Sequence, residues 1–337
     1  MPLRFAMLAS GSSGNAGWLQ VGSHCLLIDA GLGPRRLAER LSAVGTHWRQ
    51  VSAVLLTHTH GDHWKEKTFN HLLKHHIPLF CHSYHRDYLM TASFTFAKME
   101  AKGLVHSYEA GQELPLGARL RCLPLALHHD DRATFGFRFD IFPECHAFAA
   151  GQDPNHLAET LQGRESMPPI LSMAYLADLG CWDHELALAL KEIDLLALEF
   201  NHDVTMERNS NRSEHLIERV LGDYGHLSNE QAAELLDTIL QHSPPKRLQH
   251  LVQLHVSREC NRTMLAVQTA RTVRARHDAR FHIHTALQSQ AGPSLTLHGT
   301  PPPMVASRYQ EQQPSVGSFQ SSLSASPVIQ PLLPGCE

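Results

Sequence analysis

Apolar positions follow two rhythms along this chain, and the rhythms take turns. Runs that are unbroken or alternate with period two predict strands at Arg4 to Ala9, Trp18 to Val21, His24 to Asp29 and Val51 to Thr57. The Gly/Ser-rich turn Ser10-Gly11-Ser12-Ser13-Gly14-Asn15 joins the first two. Between the last two, Pro34 opens a helix that carries Leu37, Leu41 and Val44 on one face. Phe69, Leu72 and Leu73 keep helical spacing, Ile77 to Cys81 is a strand, and Ser83 to Glu109 reads as helical and then extended. Strands follow at Leu120 to Leu127, Phe135 to Ile141, Ile170 to Ala177, Leu195 to Phe200, Leu248 to Leu254 and Phe281 to His284. Helices are expected at Asp183 to Ile193, Glu214 to Leu221, Asn229 to Gln241 behind Ser228 or Asn229, and Thr263 to Arg276. Strands alternating with helices indicate an α/β fold.

Two segments break the rhythm. Residues 143–169, polar and bounded by prolines, read as an insertion on the active-site side. From residue 289 the composition turns to Ser, Pro and Gln with scarcely a charge, which cannot bury enough apolar surface to offset the cost of ordering. The expected organisation is one hydrolase domain over 1–288 and a disordered tail over 289–337.

Composition narrows the setting. With 337 residues and 42% hydrophobic content the chain can build a sizeable core. A net charge of −4 gives no global attraction to nucleic acid, so phosphate recognition has to be local. The seven cysteines are scattered without paired spacing, which fits reduced thiols in a cytoplasmic protein. No run is long enough to span a membrane, and the opening residues do not form a signal-peptide core.

The chemistry concentrates in His58-Thr59-His60-Gly61-Asp62-His63, at the C-terminal tip of the buried strand. One turn there aims His58 and His60 at one point and Asp62 and His63 at a second. That is the layout of a two-metal site, whose cations stand roughly 3.5–4 Å apart and clamp both the attacking and the leaving oxygen of a displacement. A loop that is merely histidine-rich is the competing reading in a chain with 26 histidines. The ligand order and the preceding strand argue against it.

At this motif the chain resembles the metallo-β-lactamase superfamily. The resemblance implies a four-layer αββα sandwich, two mixed β-sheets flanked by helices, with the metals at one edge. It also implies that Asp29, in Asp29-Ala30-Gly31, supports the loop without being a ligand. By the same resemblance His58, His60 and His129 hold one metal, Asp62, His63 and His255 hold the other, and Asp178 bridges them. His128 competes with His129, and the run His129-Asp130 with Gly136-Phe137 favours the second. Imidazole and carboxylate without thiolate suit zinc, with manganese or iron admissible.

Further stretches, Glu199-Phe200-Asn201-His202-Asp203, Gly225-His226-Leu227-Ser228-Asn229 and His255-Val256-Ser257-Arg258-Glu259-Cys260-Asn261, resemble the YycJ/WalJ group. Those are cytoplasmic bacterial metallohydrolases related to ribonuclease Z. The likeness implies hydrolysis of phosphodiesters, in DNA or RNA ends or a cyclic nucleotide-like ester, by water activated between two metals. Asp62 would orient that water and accept its proton, and His226 would protonate the leaving oxygen. Ser12, Ser13, Asn15 and His202 are the candidates for phosphate contact. A glyoxalase II-type thioester or acyl hydrolase is the alternative, and a metal-binding scaffold without turnover is a third reading. The chain departs from the group at Cys260, in the loop Asn209 to Ser213 and in the added 143–169 segment. Between Asp178 and His255 the predicted strands and helices leave no room for an inserted cap domain, so exonuclease action with a small footprint is expected.

Overall fold

The computed structural model of the chain describes residues 2–117, 119–130, 133–143 and 167–299. Strand β1 (Pro2–Ala9) shows the rule that builds the layers. Leu3, Phe5 and Met7 enter one apolar cluster, while Ala6 and Leu8, on the other face of the pleat, enter a second. Repeated along each strand, this alternation gives every sheet two apolar faces, so each must be covered twice.

The first sheet orders β1 beside β2 (Ala16–Val21), β3 (His24–Ile28), β4 (Ala53–Leu55), β5 (Leu79–His82) and β6 (Val105–Tyr108). β1, β2 and β3 pair antiparallel, and from β3 to β6 the pairing is parallel. The second sheet comprises β7 (Leu120–Leu127), β8 (Thr134–Ile141), β9 (Leu171–Leu176), β10 (Leu195–Glu199), β11 (His250–Leu254) and β12 (His282–Thr285). It is antiparallel from β7 to β9 and parallel from β9 to β12. Both sheets are mixed, as expected.

Helices α1 (Pro34–Ala43), α2 (Glu66–His75), α3 (Ser83–Ala92) and α4 (Phe94–Ala101) cover the outer face of the first sheet through Leu37, Leu41, Phe69, Leu72, Leu89 and Phe96. On the second sheet that role falls to α5 (His184–Ala189), α8 (Asn229–Gln241) and α9 (Thr263–Arg276). Two short helices, α6 (Val204–Arg208) and α7 (Glu214–Leu221), lead into α8. The cluster that takes Phe5, together with Phe137, Phe139 and Tyr175, fills the space between the sheets. Three clusters between four layers give the αββα sandwich. Ser228 caps α8 in a capping box with Gln231, which fixes where the preceding loop meets the helix.

One boundary differs from expectation. The chain does not leave the fold at residue 289, nor is Phe281 to His284 its last strand, because β13 (Leu295–His298) pairs antiparallel with β1. Leu295 and Leu297 alternate into the inter-sheet core, a four-residue pattern that Ser/Pro/Gln-rich surroundings conceal from a compositional reading. The rest of the expected tail, from 300, and most of the expected insertion, 144–166, lie outside the described residues.

Candidate metal centre

Parallel strands leave their C-terminal ends along one rim of the sandwich, and the polar residues of the sequence motifs collect there. Asp29 follows β3, the histidine loop follows β4, His129 follows β7, Asp178 follows β9, Glu199 ends β10 and His255 follows β11. Asp29, Asp130, Asp178 and His255 all have positive φ, between 46° and 64°. Left-handed backbone is uncommon outside glycine, and at these strand ends it turns a side chain back over the rim. Gly31 is required for another reason: a Cβ there would stand 1.6 Å from the carbonyl oxygen of Asp62, so only glycine lets the β3 loop reach the histidine loop.

Three groups of side chains have ligand atoms close enough to share a cation: His58, His60 and His129; His58, His63 and Asp178; and Asp178, Glu199, His226 and His255. In the first, the ring centroids are separated by 4.5, 5.5 and 5.2 Å, and His58 Nε2 lies 2.9 Å from His60 Nδ1. His129 donates from Nδ1 to the carbonyl of Gly225 at 2.7 Å, which fixes its tautomer and leaves Nε2 as the ligand atom. His128 is exposed and pairs through its backbone with Cys181, so the structure brings His129 and not His128 to the cluster.

Asp178 stands between the groups. Its Oδ2 is 2.8 Å from His63 Nε2, and its Oδ1 is 2.8 Å from His255 Nδ1. His63 is held from behind by Asp29, Nδ1 to Oδ2 at 2.7 Å, and Thr57 donates to both oxygens of Asp29. Such an outer carboxylate orients an imidazole and raises its basicity. Asp62 is partly exposed, and the side-chain amide of Asn15 reaches it at 3.1 Å.

Electrostatics divide the centre. Burial pushes His58, His60 and His129 down, and the neighbouring imidazoles add to it, so these rings are neutral and offer lone pairs. Burial would do the same to His63 and His255, but carboxylates outweigh it. Asp29 and Asp178 push His63 up to about 10, and Asp178 and Glu199 push His255 well above its usual value. Burial likewise raises Glu199, yet His226 and then His255 bring it down to about 2.

Sequence reasoning missed Glu199, Asp130 and Arg219. Glu199, fully buried, accepts from His226 Nδ1 and from His255 Nδ1, both at 2.9 Å, and from the backbone N–H of Leu179. A charged residue closing the apolar run Leu195 to Phe200 was the available signal, since a buried carboxylate needs partners. Asp130 pairs with His60 Nε2 at 2.7 Å and is itself gripped by Arg219. Burial raises Asp130, but the Arg219 hydrogen bond and the two histidines hold it below the usual range.

The centre opens into a cavity of about 530 Å³ lined by His129, His226, His255, Ser12, Ser13 and Ser257, with Arg212, Arg219 and Arg258 at its walls. Ser12 and Ser13, candidates for phosphate contact, line this cavity. Asn15 and His202 do not. Asn15 is fully buried, tying the backbone of Gly11 to the Asp62 and His63 side chains. His202 is fully buried with neither ring nitrogen hydrogen-bonded, so it is packed under the rim rather than facing a substrate. The loop that departs from the YycJ/WalJ pattern supplies Arg212, which bridges Glu207 and Glu259. Asn261 ties this region together, donating to the carbonyls of Phe200 and Asn201 and pairing with Asn229.

Fold and site together define a chain with the metallo-β-lactamase fold, and residues 9–66 match the family model of the metallo-beta-lactamase superfamily. Within that class the similarity is to exodeoxyribonucleases: WalJ of Streptococcus pneumoniae is 28% identical over 266 residues, 79% of this chain and 86% of that protein, and YycJ of Bacillus anthracis is 25% identical over 310 residues, 90% and 97%. Among solved structures, YhfI from Bacillus subtilis aligns with a TM-score of 0.56 at 14% identity, covering 87% of this chain and 99% of that one. The short form of human tRNase Z aligns with a TM-score of 0.52 at 16% identity, covering 86% and 98%.

The residues present fit the divalent metal use of this superfamily. The donor set is imidazole and carboxylate, one group is already neutral, and His255 Nε2 is buried without a partner in the protein. No helix among the described residues is long and apolar enough to cross a membrane.

Proposed function

We propose that the chain is a binuclear-metal phosphodiesterase of the exonuclease type, acting on DNA or RNA ends. The observation that carries the reading is the Asp178 carboxylate, which turns one oxygen to His63 and the other to His255, itself part of the lining of an arginine-walled cavity. His58, His60 and His129 would hold one cation, and Asp62, His63 and His255 the other, with Asp178 shared. Zinc suits these donors best, and manganese or iron remain compatible with them. When bound, the cations supply charge neutralisation and Lewis-acid polarisation at the phosphate.

The protein's own groups do the rest. Asp62, steadied by Asn15, orients the attacking water and takes its proton. His226, partly exposed to the cavity, gives a proton to the departing alkoxide from the ring nitrogen opposite Glu199. Glu199 acts through His226 and His255 as a positioning residue: it fixes the His226 ring and offsets positive charge on it. Arg258, Ser12 and Ser13 receive the non-bridging phosphate oxygens. A cytoplasmic setting agrees with the cysteines, since Cys25, Cys81, Cys122, Cys181 and Cys260 are all free.

The test is hydrolysis by metal-quantified protein, loaded separately with zinc and manganese. The substrates are bis(p-nitrophenyl) phosphate, end-labelled single- and double-stranded DNA and RNA, and S-lactoylglutathione. Chelator-sensitive cleavage of the phosphodiesters, lost in Asp178→Asn, is expected. Thioester turnover alone would overturn the reading.

A further inference from the structure

Away from the rim, a second group of imidazoles gathers at the edge of the second sheet. β12 is the edge strand, and it carries His282 and His284 two positions apart, hence on one face. β11 pairs with it in parallel so that His250 lies opposite His282 and Val252 opposite His284. His250 opens β11 and His255 follows its end, which sets this group roughly 16 Å from the metal centre at the strand's rise per residue.

His250 Nδ1 is 3.1 Å from His284 Nε2. The three ring centroids are separated by 5.5, 5.3 and 6.5 Å, against 4.5, 5.2 and 5.5 Å for His58, His60 and His129. Among the described residues no ion pair joins any of the three to a carboxylate. The charges acting on His250 are those of His284 and His282, and burial followed by these neighbours pushes it down to about 4. His284 is lowered too, first by burial and then by His282. Both rings are therefore neutral near pH 7, with nitrogens turned toward each other and one proton at most between them. His282 is exposed, and its ring would have to turn inward for all three ligand atoms to come as close as those of the groups at the rim.

We propose that His250, His282 and His284 form a separate binding site for one divalent transition-metal ion of the zinc, nickel or copper class. Three imidazoles without a carboxylate select these ions over magnesium and calcium. A three-histidine set also leaves a coordination position for water or an outside ligand. Cross-linking the ends of β11 and β12 would fasten the edge strand to the sheet.

The experiment uses full-length protein without a histidine tag, equilibrated with micromolar free zinc. Metal is counted by elemental analysis in the wild type, His282→Ala and His284→Ala. Each variant should hold one zinc fewer than the wild type, with phosphodiester turnover unchanged, because affinity falls by more than the roughly 10–100-fold that loss of an outer partner costs. His282 is exposed, so its replacement leaves the fold intact. Zinc-soaked crystals of the wild type should show an anomalous peak between the three rings. A zinc count in either variant equal to that of the wild type, or no peak there, would overturn the proposal.

Discussion

The two halves of the proposed metal centre use the same donor, imidazole, and hold it in opposite states. His58, His60 and His129 sit among one another and are neutral, while His63 and His255 flank Asp178 and are backed by Asp29 and Glu199. The first half presents neutral rings whose nearest partners are mostly one another, with Asp130 beside His60. In the metal-free chain, the second half keeps protons where a cation would go, and that proton load balances a cluster of buried carboxylates. Metal entry there is an exchange of one positive charge for another, so the halves should differ in how they answer to pH.

Removing the shared carboxylate tests the comparison most severely. Asp178→Ala should release at least one metal and abolish hydrolysis, read by elemental analysis beside turnover; a fully metallated, active variant would sink the two-half description. His226 belongs to neither ligand set in our reading. His226→Ala should keep both metals yet slow phosphodiester cleavage by on the order of 10²–10⁴-fold, as loss of an acid catalyst does. Unchanged turnover would take His226 out of the reaction.

Glu199→Gln should act on one half only. Metal affinity on the His255 side should fall about 10–100-fold while the His58 side is spared. Two sites weakened equally in a competition titration would contradict the division. The pH response follows from His63, raised to about 10. Below that value the metal has to displace a proton, so affinity in this half should climb about tenfold per pH unit for each proton released, against a flatter response in the other half. The sign for the metal-free fold is opposite. The stability that the His63 ion pairs supply is complete below the unfolded value near 6.5 and is lost as pH rises toward 10. Thermal midpoints of chelated protein at pH 6 and pH 9 check this direction.

The smallest effect is expected from Thr57→Val, which removes the hydroxyl bonded to both Asp29 oxygens. Leaving a buried carboxylate short of a donor costs about 1–3 kcal/mol, measured as the shift in chemical unfolding.

The unequal visibility of these halves in the sequence has a physical cause. Four of the expected ligands stand in one hexapeptide behind an apolar strand, so strand geometry and spacing alone suggest a metal site. Asp29, Asp178 and His255 are single residues at strand ends, and their meaning depends on which strands become neighbours; the family resemblance supplied that. Glu199 and Asp130 escaped because their roles are relational: each matters through a histidine far away in sequence. Left-handed backbone at Asp29, Asp178 and His255 leaves no compositional trace, and the burial of Asn15 and His202 could not be read from a polar motif. The sheets were easier, since alternation states which face is buried. β13 was lost because its four residues were averaged with the segment around them.

That last strand has a consequence for how copies of the protein behave toward each other. β1 has β2 on one side and β13 on the other. If the chain stopped at residue 288, β1 would become a naked edge with a row of free N–H and C=O groups, the template on which strands of a second molecule add. Such a shortened chain should self-associate through β1 at concentrations where the full chain does not, with light scattering rising before any change in metal content. The stretch that reads as a dispensable tail thus carries a guard against aggregation.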